Sequence, residues 1–136
     1  MNDKWATPPE LRASLHAEFN FTDDPCPIDW AADTHADALT TSWGQRNFVN
    51  PPYSKVAAFL RKAHEESKAG KLCVCLVNAI TDTRAFHDTV VGNPHAEVRF
   101  IKGRVKFIKH GFPEAPRTPN PKPSIIIVFR PPPAAQ

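Results

Sequence analysis

Two stretches of the chain are apolar without interruption, and they anchor the reading of everything between them. Lys71 to Asn78 reads Lys-Leu-Cys-Val-Cys-Leu-Val-Asn, and Ser124 to Arg130 reads Ser-Ile-Ile-Ile-Val-Phe-Arg. A short run with no polar alternation is buried on both faces, so both predict central strands of a covered sheet, the second more strongly. Before the first of them, Ser54 to about Ala69 places Val56, Phe59, Leu60 and Ala63 at helical spacing and stops at Gly70, which predicts an amphipathic helix with a glycine end. Gln45 to Asn50 predicts a short strand leading into that helix, so the middle of the chain reads as a strand, loop, helix, strand unit.

The N-terminal part follows helical periodicity first. Thr7-Pro8-Pro9-Glu10 has the form of a capping box, with Thr7 as cap, Pro8 at the first helical position and Glu10 three residues after the cap. Leu11, Leu15 and Phe19 then recur on one face, and the helix is expected to reach about Glu18. Phe19 to Thr22 alternates like a short strand and meets the acidic, proline-fixed loop Asp23-Asp24-Pro25-Cys26-Pro27. Residues 28 to 46 are weakly patterned and predict mostly loop.

Downstream, Thr81 to about Val90 predicts a helix. Glu97 to Ile101 and Arg104 to Ile108 predict strands around Lys102-Gly103, as a hairpin or as a parallel crossover. Pro113, Pro116, Pro119, Pro121 and Pro123 make 110 to 124 an expected extended loop, and the Pro-rich tail of residues 131 to 136 is expected to be disordered. Residues 1 to 130 thus form one expected α/β domain, with a mixed sheet whose C-terminal strands are antiparallel.

Composition narrows the classes only slightly. With 17 Lys and Arg against 14 Asp and Glu, the formal charge of +3 permits a polyanionic partner without demanding one. No apolar run approaches the roughly 18 residues that cross a bilayer, so a soluble, cytoplasmic protein with no membrane partner is expected. Three cysteines, with Cys73 and Cys75 on one strand face, read as small buried hydrophobes. Six scattered histidines predict no metal site. The absence of a Gly-x-Gly-x-x-Gly motif argues against an ordinary dinucleotide site.

The candidate chemistry lies in Asn50-Pro51-Pro52-Tyr53, directly after the apolar pair Phe48-Val49. Open α/β sheets bind ligands at the carboxyl ends of their strands, where this turn falls. The side-chain carbonyl of Asn50 and the main-chain carbonyl of Pro51 are both acceptors, the prolines stiffen the turn, and Tyr53 offers a stacking face. Two acceptors that hold both hydrogens of a planar amino group favour a more tetrahedral nitrogen. That frees a lone pair otherwise conjugated with a ring, and the lone pair can attack a methyl group. The same tetrapeptide is also compatible with a plain proline turn.

Thr7-Pro8-Pro9-Glu10, Asp24-Pro25-Cys26-Pro27, Asp37-Ala38-Leu39 with Trp43, and Asn50-Pro51-Pro52-Tyr53-Ser54 occur in an order that resembles the phage-type Dam family of DNA N6-adenine methyltransferases. The later strands and Thr81-Asp82-Thr83, Phe86-His87 and Phe100 to Arg104 follow the same layout, so the resemblance covers nearly the whole chain. It implies a compact Rossmann-like fold, S-adenosylmethionine as methyl donor and no metal. Thr7 and Pro8 resemble the motif that encloses the donor's methionine portion, and Asp24, Pro25 and Cys26 resemble the first donor loop, with Asp24 facing the ammonium group. Asp37 and Leu39 resemble the loop beside the donor's adenine or ribose. Asn50, Pro51, Pro52 and Tyr53 resemble the catalytic turn. The resemblance also implies a phage or prophage origin, with methylation protecting DNA from restriction or adjusting replication.

The segment between Pro27 and Asp37 is shorter than the family pattern. Either the donor pocket is open, with weak binding, or a second subunit of a homodimer completes it. Lys102, Arg104, Lys106 and Lys109, with Arg117 and Lys122 in the proline loop, are candidates for phosphate contact, with a solvated basic face as the alternative. The target base must be flipped out of duplex DNA or presented single-stranded. Cys26 is not expected to act as a nucleophile, since N-methylation needs no thiol adduct. Asn-Pro-Pro-Tyr is also similar to the active-site motif of cytosine N4, RNA-guanine N2 and protein-glutamine methyltransferases. A catalytically silent nucleic-acid-binding module of the same fold is a further alternative, while the order of motifs favours adenine in DNA.

Overall fold

The computed structural model describes residues 5–27, 36–109 and 116–133. Along them run β1 (Trp5–Ala6), α1 (Pro9–Phe19), a 3₁₀ turn (Ala36–Leu39), β2 (Arg46–Val49), a second 3₁₀ turn (Tyr53–Lys55), α2 (Val56–Lys68), β3 (Leu72–Asn78), α3 (Arg84–Thr89), β4 (Ala96–Phe100), β5 (Lys106–Lys109), β6 (Thr118–Pro119) and β7 (Ser124–Phe129). The main sheet has the order β2-β3-β7-β4, and β1-β5-β6 form a small second sheet. β2 and β3 are parallel, and β7 inserts antiparallel between β3 and β4. The expected mixed α/β sheet with antiparallel C-terminal pairing is therefore present.

The two uninterrupted apolar runs form the centre of this sheet because each strand buries both faces. Cys73, Cys75 and Val77 of β3 and Ile125, Ile127 and Phe129 of β7 join Phe59, Leu60 and Ala63 of α2 and Phe86 of α3 on one side. Val74, Leu76, Ile126 and Val128 pack on the other side against Leu15 and Phe19 of α1 and Phe107 of β5. Burying a side chain such as Phe59, which is fully inaccessible, contributes about 1.5–3 kcal/mol. α2 ends where Gly70 takes φ +104°, a left-handed conformation that costs glycine little. Among the described residues, no helix is long and apolar enough to cross a membrane.

Four sequence expectations change. Thr7 is not a helix cap: α1 begins at Pro9 with Pro8 as the flanking residue, and no side chain caps it. The alternation from Phe19 to Thr22 yields only a single parallel bridge, Asp23 to Asn47, because α1 continues through Phe19. The strands on either side of Lys102-Gly103 do not pair with each other, since β4 joins β7 and β5 joins β1. The proline segment is not wholly irregular, for Thr118–Pro119 pairs with β5. Proline suits this edge position because the sheet asks no outward hydrogen bond of it. The expectation for the tail falls partly on 134–136, outside the described residues.

Candidate active site

Two parallel segments end side by side at one edge of the main sheet. Main-chain bonds from Thr22 and Asp23 N–H to the Arg46 carbonyl (2.8 and 3.1 Å) and from Phe48 N–H to the Asp23 carbonyl (3.1 Å) hold residues 22–23 against β2. Asp24-Pro25-Cys26-Pro27 leaves the first segment and Asn50-Pro51-Pro52-Tyr53 leaves the second. A crevice outside the carboxyl ends of adjacent parallel strands is the usual ligand position in an open α/β sheet.

Asn50 is buried there, and its amide orientation is set by chemistry rather than chosen. Its Nδ2 donates to the main-chain carbonyl of Trp5 at 2.9 Å and to Thr7 Oγ1 at 3.0 Å. A carbonyl oxygen accepts only, so the nitrogen end must face Trp5, and the side-chain oxygen lies on the opposite side of the planar group. This gives Thr7 a purpose other than capping: its hydroxyl positions Asn50. Pro51 and Pro52 are buried beside it, and Tyr53 begins the 3₁₀ turn with 39% of its surface exposed.

A cavity of about 270 Å³ opens next to Asn50, lined also by Ala6, Thr7, Arg12, Asp24, Cys26, Pro27 and Phe48. Thr7, Asp24 and Cys26, which are distant in sequence, thus meet at Asn50. Asp24 Oδ1 accepts from the Cys26 main-chain N–H at 3.2 Å, which folds the loop back on itself and orients the carboxylate. Pro8 and Pro25 flank these residues in the chain without lining the cavity. Arg12 was not visible as a site residue in the sequence. Its guanidinium carbon lies 4.8 and 4.7 Å from the ring centres of Phe21 and Phe48, so two aromatic faces hold a positive charge at the cavity that Asp24 also lines.

Beyond the other end of the turn lies a larger cavity of about 510 Å³, lined by Tyr53 and Ser54, by Val56, Ala57 and Leu60 of α2, by Val77 and Asn78 at the end of β3, by Ile80, Thr83, Ala85 and Phe86, and by Asn120, Pro121 and Lys122. Its walls are largely apolar, with polar groups from Ser54, Asn78, Thr83, Asn120 and Lys122 among them. The turn therefore borders both cavities, Asn50 on the smaller one and Tyr53 on the larger.

Leu39 lies elsewhere, packed with Ala38 against the core on the α2 side. The side chains of Asp37 and Lys109 lie outside the described residues, as does the segment 28–35. Lys102, Arg104 and Lys106 are exposed, and among the described residues none of them forms an ion pair. Arg117 instead pairs with Glu10, and Lys122 joins the rim of the larger cavity. All three cysteines are buried, and none is in a disulfide. Burial pushes the Cys73 thiol up to about 12 and raises Cys75 as well, which keeps both protonated and unreactive.

The family model for DNA N-6-adenine-methyltransferase (Dam) matches residues 1–135. A protein of Haemophilus phage HP1 named DNA N-6-adenine-methyltransferase is 30% identical over 139 aligned residues, covering 95% of this chain and 79% of the phage protein. No solved structure matches the chain. A match along essentially the full length, with Asn50-Pro51-Pro52-Tyr53 at the mouth of two cavities, places this chain in the Dam family of DNA N-6-adenine-methyltransferases.

Proposed function

We propose that the protein transfers a methyl group from S-adenosylmethionine to the exocyclic N6 of adenine in DNA. The observation that carries this reading is the orientation of Asn50: with its nitrogen end committed to Trp5 and Thr7, its carbonyl is the end presented to a substrate amino group. Asn50 Oδ1 and the Pro51 carbonyl accept the two amino hydrogens, Pro52 shapes the turn, and Tyr53 stacks on the base. The segment at 22–23, β2, β3 and β4 all run one way with β7 reversed between the last two, which supports a Rossmann-like methyltransferase fold.

The smaller cavity fits the amino-acid end of the donor, because it carries one carboxylate and one guanidinium. Asp24 faces the ammonium group and Arg12 the carboxylate, while Thr7, Cys26 and Pro27 supply the wall. Pro8 and Pro25 shape the approach, and Asp37 and Leu39 belong to the loop assigned to the donor's nucleoside end. When bound, the donor supplies an electrophilic methyl: the N6 lone pair forms the new N–C bond, the S–CH3 pair returns to sulfur, and one N6 proton leaves to solvent. Catalysis rests on placement and polarisation, without a covalent enzyme intermediate.

Arg12→Ala is expected to weaken binding of S-adenosylmethionine and S-adenosylhomocysteine by about tenfold to a hundredfold, the worth of a hydrogen bond to a charged group, with kcat little altered. Calorimetric titration checks it, and an unchanged affinity removes Arg12 from the donor site. The same titration run beside sedimentation tests the homodimer: tight binding by a demonstrated monomer excludes the need for a second subunit.

Lys102, Arg104, Lys106 and Lys109 form the proposed phosphate-contacting surface. Replacing Lys102, Arg104 and Lys106 together by alanine is expected to flatten the salt dependence of DNA binding by about 0.9 in log–log slope for each phosphate that is no longer neutralised. An unchanged slope takes them out of the footprint. The whole reading is tested by incubating the protein with methyl-labelled donor and DNA, RNA or peptide and identifying the product by mass spectrometry. N6-methyladenine in DNA is expected. Label found only in cytosine, RNA or glutamine, or in nothing, overturns the proposal.

A further inference from the structure

We infer that Asn78 recognises the ring nitrogen beside the target amino group, donating an Nδ2 hydrogen to it, and that Asn120 is the residue that holds it in this orientation. This rests on the adenine-methylation reading above and extends it to the larger cavity. Asn78 is the last residue of β3, so it projects from the same carboxyl end of the sheet as the Asn50 turn.

The polarity of the cavity's end follows from a single main-chain group. Lys122 N–H donates to Asn120 Oδ1 at 3.1 Å, and a main-chain N–H can only donate. The other end of the Asn120 amide must therefore be its nitrogen, which donates to Asn78 Oδ1 at 2.6 Å and to Ser124 Oγ at 3.2 Å. Because Asn78 accepts from Asn120, its Nδ2 is turned the other way. Among the described residues nothing accepts from that nitrogen, although Asn78 lines the cavity with Tyr53. Asn120 is held firmly enough to impose this order: it is 4% exposed, and its own N–H bonds the Val105 carbonyl at 2.8 Å.

A largely apolar cavity with a donor oriented by its partners, as Asn78 is by Asn120, favours a flat ring that carries a lone pair at the matching position. Adenine has such a nitrogen on either side of its amino group, N1 on one edge and N7 on the other. A donor left facing a C–H or N–H loses its partner after desolvation, so the site favours the base with the lone pair. Asn78 is thus a specificity residue that fixes the rotation of the base, and Asn120 is its positioning residue.

The test pairs changes in protein and substrate. Wild type, Asn78→Asp, Asn78→Ala and Asn120→Ala are assayed with labelled donor on DNA whose adenines are all adenine, all 1-deazaadenine or all 7-deazaadenine. Wild type is expected to lose about tenfold to a hundredfold in kcat/KM on one of the two analogues. Asn78→Asp keeps the acceptor that Asn120 needs but presents oxygen in place of a donor, so its preference between that analogue and adenine should vanish or invert. Asn78→Ala should be indifferent to that analogue, and Asn120→Ala should show a reduced preference. Wild type that treats all three DNAs alike, or Asn78 variants that lose as much on the analogues as wild type does, overturns the inference. A wild type that never forms N6-methyladenine instead defeats the underlying reading, and that outcome needs no variant to be recognised.

Discussion

Asn50→Ala is expected to lower the single-turnover rate of DNA methylation by on the order of a hundredfold to a thousandfold, the range for removing one preorganised polar group from a reacting centre. Donor affinity should change far less, because Asp24 and Arg12 remain in the smaller cavity. The loss has two parts. The variant removes the acceptor proposed to hold one amino hydrogen, and it strips the Trp5 carbonyl and Thr7 hydroxyl of a shared donor. Thr7→Val separates the parts, since it keeps the shape and the Asn50 carbonyl but deletes one of the two acceptors that orient it. Its rate should fall by about tenfold, the worth of roughly one hydrogen bond. An Asn50→Ala enzyme within fivefold of wild type, with its fold verified by thermal melting, would remove Asn50 from the chemistry.

The largest loss of stability should come from Glu66→Ala. This buried carboxylate of α2 accepts from the Trp43 main-chain N–H, bonds Lys71 Nζ at 3.1 Å and lies 3.9 Å from Lys62 Nζ. It ties the segment after the first 3₁₀ turn to the helix, while the Trp43 ring stacks on Phe59 and its Nε1 donates to the Ala38 carbonyl. Removing it leaves two partly buried ammonium groups and one N–H without their acceptor. A cost of about 3 kcal/mol is expected, corresponding to a fall in Tm of roughly 10 °C.

Glu66 also makes stability depend on pH. Burial alone would raise its pKa, but the bonds from Trp43 N–H and Lys71, with the charges of Lys62 and Lys71, outweigh burial and hold the carboxyl below the ordinary carboxylate value. A folded-state pKa below the unfolded one means that the unfolded chain binds the proton more readily. The stabilisation is therefore complete above the unfolded value of about 4.3 and is lost as pH falls through the lower folded value. Glu66→Gln keeps an acceptor for Trp43 but has no charge to titrate, so the advantage of wild type over this variant should shrink below about pH 4. Urea titrations at pH 7 and pH 3 check it, and a gap of constant size would refute the assignment.

Much of the frame was legible because burial leaves a local trace. The two apolar runs became β3 and β7, and Phe59, Leu60 and Ala63 faced the core at helical spacing. The Thr7 expectation failed in an instructive way: Thr, Pro, Pro and Glu at capping spacing are sound local chemistry, yet Asn50 competes for the hydroxyl from 43 positions away. The hairpin reading failed for a similar reason. Lys102-Gly103 is a turn, but main-chain partners for β5 were offered by β1 and β6, and those for β4 by β7. Arg12 carried no signal at all, because a lone arginine on a helix acquires meaning only from the rings and carboxylate that tertiary packing brings to it. Asn78 had a weak one, as the first polar residue after a buried run at the carboxyl end of a strand.

Periodicity along the chain thus decides which residues are buried, where helices and strands lie and where the Asn50-Pro51-Pro52-Tyr53 turn falls, because each depends on neighbours within a few positions. It does not decide which way a side-chain amide points. The nitrogen end of Asn50 faces Trp5 because a distant main-chain oxygen claims it, and the nitrogen of Asn78 points away from Asn120 because Asn120, 42 positions away, claims its oxygen. Hydrogen-bond polarity passes from partner to partner through space, so tertiary structure alone gives these amides their direction.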